Sequence, residues 1–355
     1  MAETYNTNNN SPLDKVHVVK TVEMHTAGEP LRIVVSGYPE LEGDTILAKR
    51  QSALKTADHY RRLLMQEPRG HRDMYGALLV APGPGESEAD LAVLFCHTEG
   101  LSPMCGHGTI ALGRFAVDRG YVPATAPETR VCVQCPCGPV TAFVEYDPVR
   151  RKTGAVRFNS VPSFAFALDV ELDVQGYGKL TVDIGYGGGF YAFLVDQKVG
   201  LDIRTSPISD IIAVAKAVKA AAIEQVTLKH PDRSVSDLEF IYGVILTDGQ
   251  DACSDKPQAH ICIFADSQVD RSPCGSGVTA RVAVQYARGQ VGLQESRVYE
   301  SGMNGTTFKG KPVQATKLGE QDAVVVEVSG HAYYTGEATF YLEEGDKVGK
   351  GFLLR

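Results

Sequence analysis

Apolar and polar positions along the chain alternate in short strand-like runs, broken by a few longer stretches with helical spacing. His17–Val22 and Leu31–Ser36 read as strands, with the polar segment His25-Thr26-Ala27-Gly28-Glu29-Pro30 as the turn between them. From Asp44 to Gln66 the spacing becomes helical, with Asp44 and Thr45 available as N-caps and Pro68 as the stop. Strand patterns return at Ala77–Ala81 and Leu91–His97. Beyond an amphipathic run they resume at Val131–Val133, Val140–Tyr146 and Ala155–Val161, with Cys137-Gly138-Pro139 as a turn. The order then repeats. Leu180–Ile184, a turn at Gly185-Tyr186-Gly187-Gly188-Gly189 and the apolar Phe190–Val195 precede a helix over Ile208–Gln225. Strands at Leu238–Leu246 and His260–Phe264 lead into a second amphipathic run, and Val324–Ser329 and Ala338–Leu342 are late strands.

The two amphipathic runs carry one motif. M-C-G-H-G-T-I-A-L-G-R-F-A-V-D-R-G at 104–120 reappears in outline as P-C-G-S-G-V-T-A-R-V-A-V-Q-Y-A-R-G at 273–289. Each copy places a Cys before a Gly-x-Gly turn and ends in Arg-Gly, which reads as a helix with a thiol at its N-terminus and a Gly C-cap. Two copies imply two half-molecules. The first comprises 15–165 with a return at 346–355 and carries Cys105; the second comprises 166–345 and carries Cys274. Residues 1–14, without an apolar or a basic leader region, are expected to be a disordered tail.

Composition narrows the class. Hydrophobic residues at 43% and charged residues at 22% describe a globular protein, and a formal net charge of -8 argues against a nucleic-acid surface. No stretch reads as membrane-bound. Eight Cys spread over 355 residues fit reduced thiols in a cytoplasmic enzyme better than a disulfide framework.

Cys105 and Cys274 carry the strongest chemical signal. A helix N-terminus favours the thiolate and can lower a thiol's pKa to roughly 3.5–7.5. One such Cys can be a nucleophile, whereas two facing one ligand suggest an acid and a base. Gly106-His107-Gly108 and Gly275-Ser276-Gly277 would offer two arrays of N–H donors to a carboxylate, and fixed donors stabilise the charge that enters that group when its α-proton leaves. Asp270 could accept a hydrogen bond from a ligand ammonium, or else cap the helix. His107 could orient the ligand or tune the thiolate. Arg69 and His71 could reach the cleft or form internal ion pairs. Cys132-x-x-Cys135-x-Cys137 lacks partner ligands at zinc spacing and alternates as a strand, so no metal is expected. No Lys has a pyridoxal-phosphate context, which points to chemistry without a cofactor. A redox sensor would also use two activated thiols, but not matched glycine arrays. A non-catalytic amino-acid-binding module would not exchange the ligand's α-proton with solvent.

Met104-Cys105-Gly106-His107-Gly108, together with Asp270-Arg271-Ser272-Pro273-Cys274-Gly275-Ser276-Gly277, resembles the paired signature of the proline racemase family. The likeness extends through His25–Pro30, Glu67–His71, Asp73–Gly76 and Tyr186–Phe190. It implies an α/β (α+β) fold like that of diaminopimelate epimerase, with two pseudo-symmetric halves, each a barrel-like sheet around a central helix, and the site between them. It implies proline racemase, hydroxyproline epimerase or trans-3-hydroxy-L-proline dehydratase activity on a small imino acid, without cofactor or metal. By the same likeness Cys105 and Cys274 exchange the α-proton on opposite faces, and Asp270 and His107 meet the ligand amine. The amides of Gly106, His107, Gly275 and Ser276 meet its carboxylate, while Tyr75, Phe95 and Phe264 line its ring. Animal dehydratases of the family resemble this chain with Thr where Cys274 stands. Two thiols favour inversion by a racemase or epimerase, with dehydration as the alternative. A Tyr at position 75, where some proline racemases have Phe, offers a partner for a ring hydroxyl. A homodimer is compatible with this reading.

Overall fold

A computed structural model describes residues 16–85, 88–232, 238–253 and 255–354. The expected 1–14 tail lies outside them. β1 (His17–Thr26) and β2 (Glu29–Ser36) form a hairpin whose turn residues, Ala27 and Gly28, have φ of 53° and 88°. Two successive positive φ angles are what a two-residue type I′ turn needs, so the strands run further into the polar motif than alternation suggests. The long helical pattern becomes α1 (Ile46–Ser52) and α2 (Asp58–Met65), joined by a π-helical turn at Ala53–Ala57. Thr45 rather than Asp44 is the cap, accepting from the Ala48 amide at 3.1 Å. Inside the π turn Thr56 donates to the Ser52 carbonyl, a back-bond that bends helices.

β3 (Tyr75–Val80) pairs parallel to β2, β4 (Leu91–His97) antiparallel to β3, and the short β5 (Leu101–Ser102) antiparallel to β4. α3 (Gly106–Asp118) crosses over to β6 (Glu128–Cys135), parallel to β4, followed by the antiparallel β7 (Gly138–Asp147) and β8 (Lys152–Asn159). The second half repeats every step. After β9 (Phe164–Val174) come β10 (Gly178–Tyr186), β11 (Phe190–Val195), α4 (Ile208–Gln225), β12 (Ile241–Thr247), β13 (Gln258–Phe264) and β14 (Gln268–Val269). α5 (Gly275–Ala287) then crosses to β15 (Arg297–Ser301), β16 (Thr307–Leu318) and β17 (Gln321–Gly330). β11 is parallel to β12 and β13 to β15, as β2 is to β3 and β4 to β6.

The last strand, β18 (Ala332–Leu342), lies along β1, while β9 lies in the same way along β10. Thus residues 332–342, assigned to the second half from the sequence, are hydrogen-bonded to the first. β8 pairs with β17, making one 18-stranded sheet across both halves. Phe352 then bridges back to Glu67. Arg69, expected at the cleft or in an ion pair, pairs with Asp346 at 3.7 Å and holds this return by donating to the Tyr341 and Gly349 carbonyls.

Each curved sheet encloses its own helix. α3 packs on β1, β6, β7 and β8, and α5 on β9, β10, β16 and β17. Both helices are buried along nearly their whole length, so the small residues Gly106, Gly108, Ala111 and Gly113 on α3 are required by space rather than by helix propensity. β4, β12 and β13 are buried at every position; β4 and β12 read as nearly continuous apolar runs, while β13 also buries the polar Gln258 and His260. Among the described residues no helix is long and apolar enough to cross a membrane.

Candidate active site

α3 and α5 meet end to end. A Cβ placed on Gly106 would lie 2.4 Å from Gly275 Cα, and one on Gly275 2.5 Å from Gly106 Cα. Only glycine fits on either side, because the atoms it would strike are backbone. The two N-termini therefore present their free amides to one small space. Gly106→Ala is expected to force the helix ends apart and lower stability by about 1–3 kcal/mol. Thermal unfolding checks this, and an unchanged midpoint would contradict the end-to-end contact.

Of the residues singled out from sequence, Cys105, Gly106, His107, Cys274, Gly275 and Ser276 border that space, as do Tyr75, Phe264 and Asp270. Phe95, Gly108 and Gly277 do not. Phe95 is fully buried behind α3, where its ring would stand 2.5 Å from any Cβ at Gly108. The Gly108 amide is already used, donating to Cys105 Sγ at 3.1 Å, and Gly277 packs on Ile245. Met104, Tyr191 and Tyr242 complete the lining and were not anticipated. One signal for Tyr242 was present: Tyr75-Gly76 and Tyr242-Gly243 both precede apolar runs in β3 and β12. The cavity measures about 20 Å³, room for about one water, so the halves are closed around it.

The two cysteines are not equivalent. Cys105 has extended backbone, φ -144°, and its sulfur caps α3. Cys274 has φ 58° and no such cap, so its sulfur stands instead 4.0 Å from the hydroxyls of Tyr191 and Ser276, which bond to each other at 2.7 Å. His107 Nδ1 lies 3.3 Å from Cys105 Sγ.

The expected lowering of the thiol pKa fails at Cys105. Burial pushes it well above its ordinary value, opposing the Gly108 amide, and Asp270 adds to the rise. Taking a thiolate out of water in a closed cavity outweighs one helix terminus. Burial also lowers His107 to about 3, so its imidazole is neutral. The Asp270 carboxyl rises to about 6 through burial, although one of its oxygens accepts from both the Ser272 amide and hydroxyl. The helix-capping role thus reduces to a local turn, while the residue still faces the cavity. Glu29, pushed well up by burial and by Asp270, accepts from Arg271, tying the hairpin turn to the second half. Thr26 does the same for α3, donating to the His107 carbonyl.

Behind Cys274 a buried network fixes the backbone. Arg281 on α5 pairs with Asp251 at 2.7 Å and donates to His260 Nδ1, which leaves His260 Nε2–H to donate to the Pro273 carbonyl. Burial holds that imidazole neutral, at about 3. Cys132 and Cys135 lie on β6 and Cys137 follows in the turn, as strand alternation predicts. A groove of about 760 Å³ beside Arg114, Tyr146, Arg150 and Tyr333 contains neither signature cysteine.

Comparison with known proteins gives a consistent picture. The family model described as proline racemase matches residues 21–353. The trans-L-3-hydroxyproline dehydratase of Saccoglossus kowalevskii is 56% identical over 94% of this chain and 100% of its own length. The 3-hydroxyproline 2-epimerase of Burkholderia multivorans is 44% identical over 95% of this chain and 98% of its own. Among solved structures, a hydroxyproline epimerase from Agrobacterium vitis with bound trans-4-hydroxy-L-proline superposes with a TM-score of 0.86. It is 25% identical, covering 95% of this chain and 96% of that one.

Proposed function

The chain belongs to the proline racemase family and is an enzyme of the isomerase or lyase type; from that premise we propose that it dehydrates trans-3-hydroxy-L-proline. The observation that carries the α-proton chemistry common to the family is the pair of helix termini at Gly106 and Gly275 closing on one cavity beside Cys105; the choice of elimination rests on the relatives. The substrate carboxylate sits on the amides of Gly106, His107, Gly275 and Ser276. Its ammonium lies toward Asp270, and Cys105 takes the α-proton as thiolate. The amides stabilise the charge that grows on the carboxylate as the α-carbon flattens. The halves part to admit the ring, because about 20 Å³ holds no five-membered imino acid. The dehydratase relatives, at higher identity than the epimerase, support elimination over the inversion favoured by sequence reasoning. A second reading, 2-epimerisation, is favoured by Cys274, which supplies a thiol across the cavity from Cys105.

The test is proton NMR of trans-3-hydroxy-L-proline with the enzyme in deuterated water. The expected result is loss of the α-proton signal with formation of the cyclic imine. An epimer formed without imine selects the second reading, and an unchanged substrate overturns both.

The raised Cys105 thiol sets the pH dependence. Sitting above its ordinary value, it is protonated near neutrality, and the basic form grows about tenfold per pH unit below its pKa. kcat/KM is therefore expected to climb from pH 6 to pH 8. A profile already flat at pH 6 would mean a thiolate formed in the free enzyme and would overturn this assignment.

A further inference from the structure

Dehydration needs an acid as well as a base, because hydroxide leaves poorly unless protonated. In trans-3-hydroxy-L-proline the hydroxyl and carboxylate lie on opposite ring faces, so the α-hydrogen and the hydroxyl share one face. Elimination is then syn. The acid must stand on the same side as the thiolate that takes the α-proton, where a side chain lining the cavity can hold a proton in fixed position.

On the Cys105 side the cavity carries such a group. Tyr75, 2% exposed, borders the space directly, its ring edge-on to His107 with centroids 4.8 Å apart. Its hydroxyl is hydrogen-bonded to Ser102 Oγ and interacts with the Cys105 thiol. The Tyr242 hydroxyl interacts with both Tyr75 and Ser102, so three buried hydroxyls converge. Phe264 fixes the two rings, stacked on Tyr242 at 5.8 Å and edge-on to Tyr75 at 6.0 Å. Ser102, on β5, is fully buried and also reaches the Met104 carbonyl, directly before Cys105. Across the cavity Tyr191 and Ser276 are occupied with each other beside Cys274.

We propose that Tyr75 is the general acid that protonates the departing 3-hydroxyl, held in place by Ser102 and Tyr242. This rests on the dehydratase reading above. The Cys105 thiolate takes the α-proton, and the C–H electron pair becomes the Cα–C3 double bond. The C3–O bond breaks with its pair on oxygen, which takes the Tyr75 phenolic proton and leaves as water. The Cys105 S–H returns a proton to the Tyr75 oxygen, so thiolate and phenol are both restored. The released enamine gains a solvent proton at C3 and loses its N–H proton, giving the cyclic imine. Burial keeps the Tyr75 phenol well above its ordinary pKa, so it enters each cycle as a donor. Ser102 and Tyr242 are positioning residues.

The experiment compares wild type with Tyr75→Phe in deuterated water, following α-exchange and imine formation from the same trans-3-hydroxy-L-proline. Imine formation is expected to fall at least ~10²-fold and α-exchange less than ~10-fold, since only the first needs the acid. Ser102→Ala should move the ratio in the same direction by less. trans-3-Fluoro-L-proline supplies the control, because fluoride departs without a strong acid and its release by Tyr75→Phe should stay within ~10-fold of wild type. Parallel loss of exchange, imine formation and fluoride release would mean a merely structural tyrosine and would overturn the proposal. So would imine formation that Tyr75→Phe leaves untouched. Wild type that neither exchanges nor dehydrates the hydroxyproline would instead overturn the dehydratase reading, and this proposal with it.

Discussion

Cys105→Ser is expected to abolish both α-exchange and dehydration, by at least ~10³-fold, while leaving the protein folded. The substitution keeps size and a cap for α3, since Ser Oγ accepts from the Gly108 amide as readily as Sγ does. It removes the basic form. Burial pushes the thiol up, but an alcohol in the same place is intrinsically a far weaker acid and gives up its proton much less readily still. The cavity carries no substitute base on that side, because burial lowers His107 to about 3 and His107 meets the sulfur rather than replacing it. The measurement is α-proton exchange of proline and of trans-3-hydroxy-L-proline in deuterated water, with the thermal midpoint as the control on folding. Exchange within tenfold of wild type in a protein with an unchanged midpoint would place the base elsewhere.

What the sequence discloses and what it conceals follow from the range of the interactions involved. Cys105 and Cys274 were legible because helix starts are local: a Gly-x-Gly after the Cys and an apolar period beyond it define each one. α4 matches its expected bounds, Ile208–Gln225, since an Ala-rich run of helix formers is a local signal. β9 and β16 were missed. Both face solvent along much of their length and carry Asp, Glu, Lys and Gly that strand propensity disfavours, so only their long-range partners β10 and β17 make them strands. The placement of β18 beside β1 was hidden for the same reason, as nothing local records which edge a terminal strand will join.

The site divides along the same line. Which residues border the cavity was read well where the motif itself supplies them. Tyr191 and Tyr242 come from β11 and β12 and border the thiols only because parallel pairing of those strands sets the two tyrosines side by side at the cavity. Phe95 was misplaced for a related reason: in a strand buried on both faces, sequence parity does not say which face a ring occupies. The pKa expectation failed because a helix terminus is visible in sequence and a dry cavity is not. Desolvation, the larger effect at Cys105, belongs to the closed tertiary structure.

Cys274→Thr is expected to separate the two reactions that the family supports. Inversion needs a proton donor on each face, so removing the second thiol should lower epimer formation by at least ~10³-fold. Syn elimination uses one face only, and imine formation should stay within ~10-fold of wild type or rise, as the deprotonated intermediate loses its competing fate. The structure adds a complication that a bare sequence comparison would miss. Cys274 holds φ 58°, where a β-branched residue is strained, and its amide is positioned by Ser272 Oγ at 3.1 Å. Cys274→Ser, unbranched, therefore accompanies it: a loss shared by Thr and Ser reflects the missing thiol, and a loss confined to Thr reflects backbone strain. The assay follows epimer and imine from trans-3-hydroxy-L-proline for wild type and both variants. Epimer formation undiminished in Cys274→Ser would show that Cys274 is not the second acid, and the two-thiol arrangement would then have to serve binding alone.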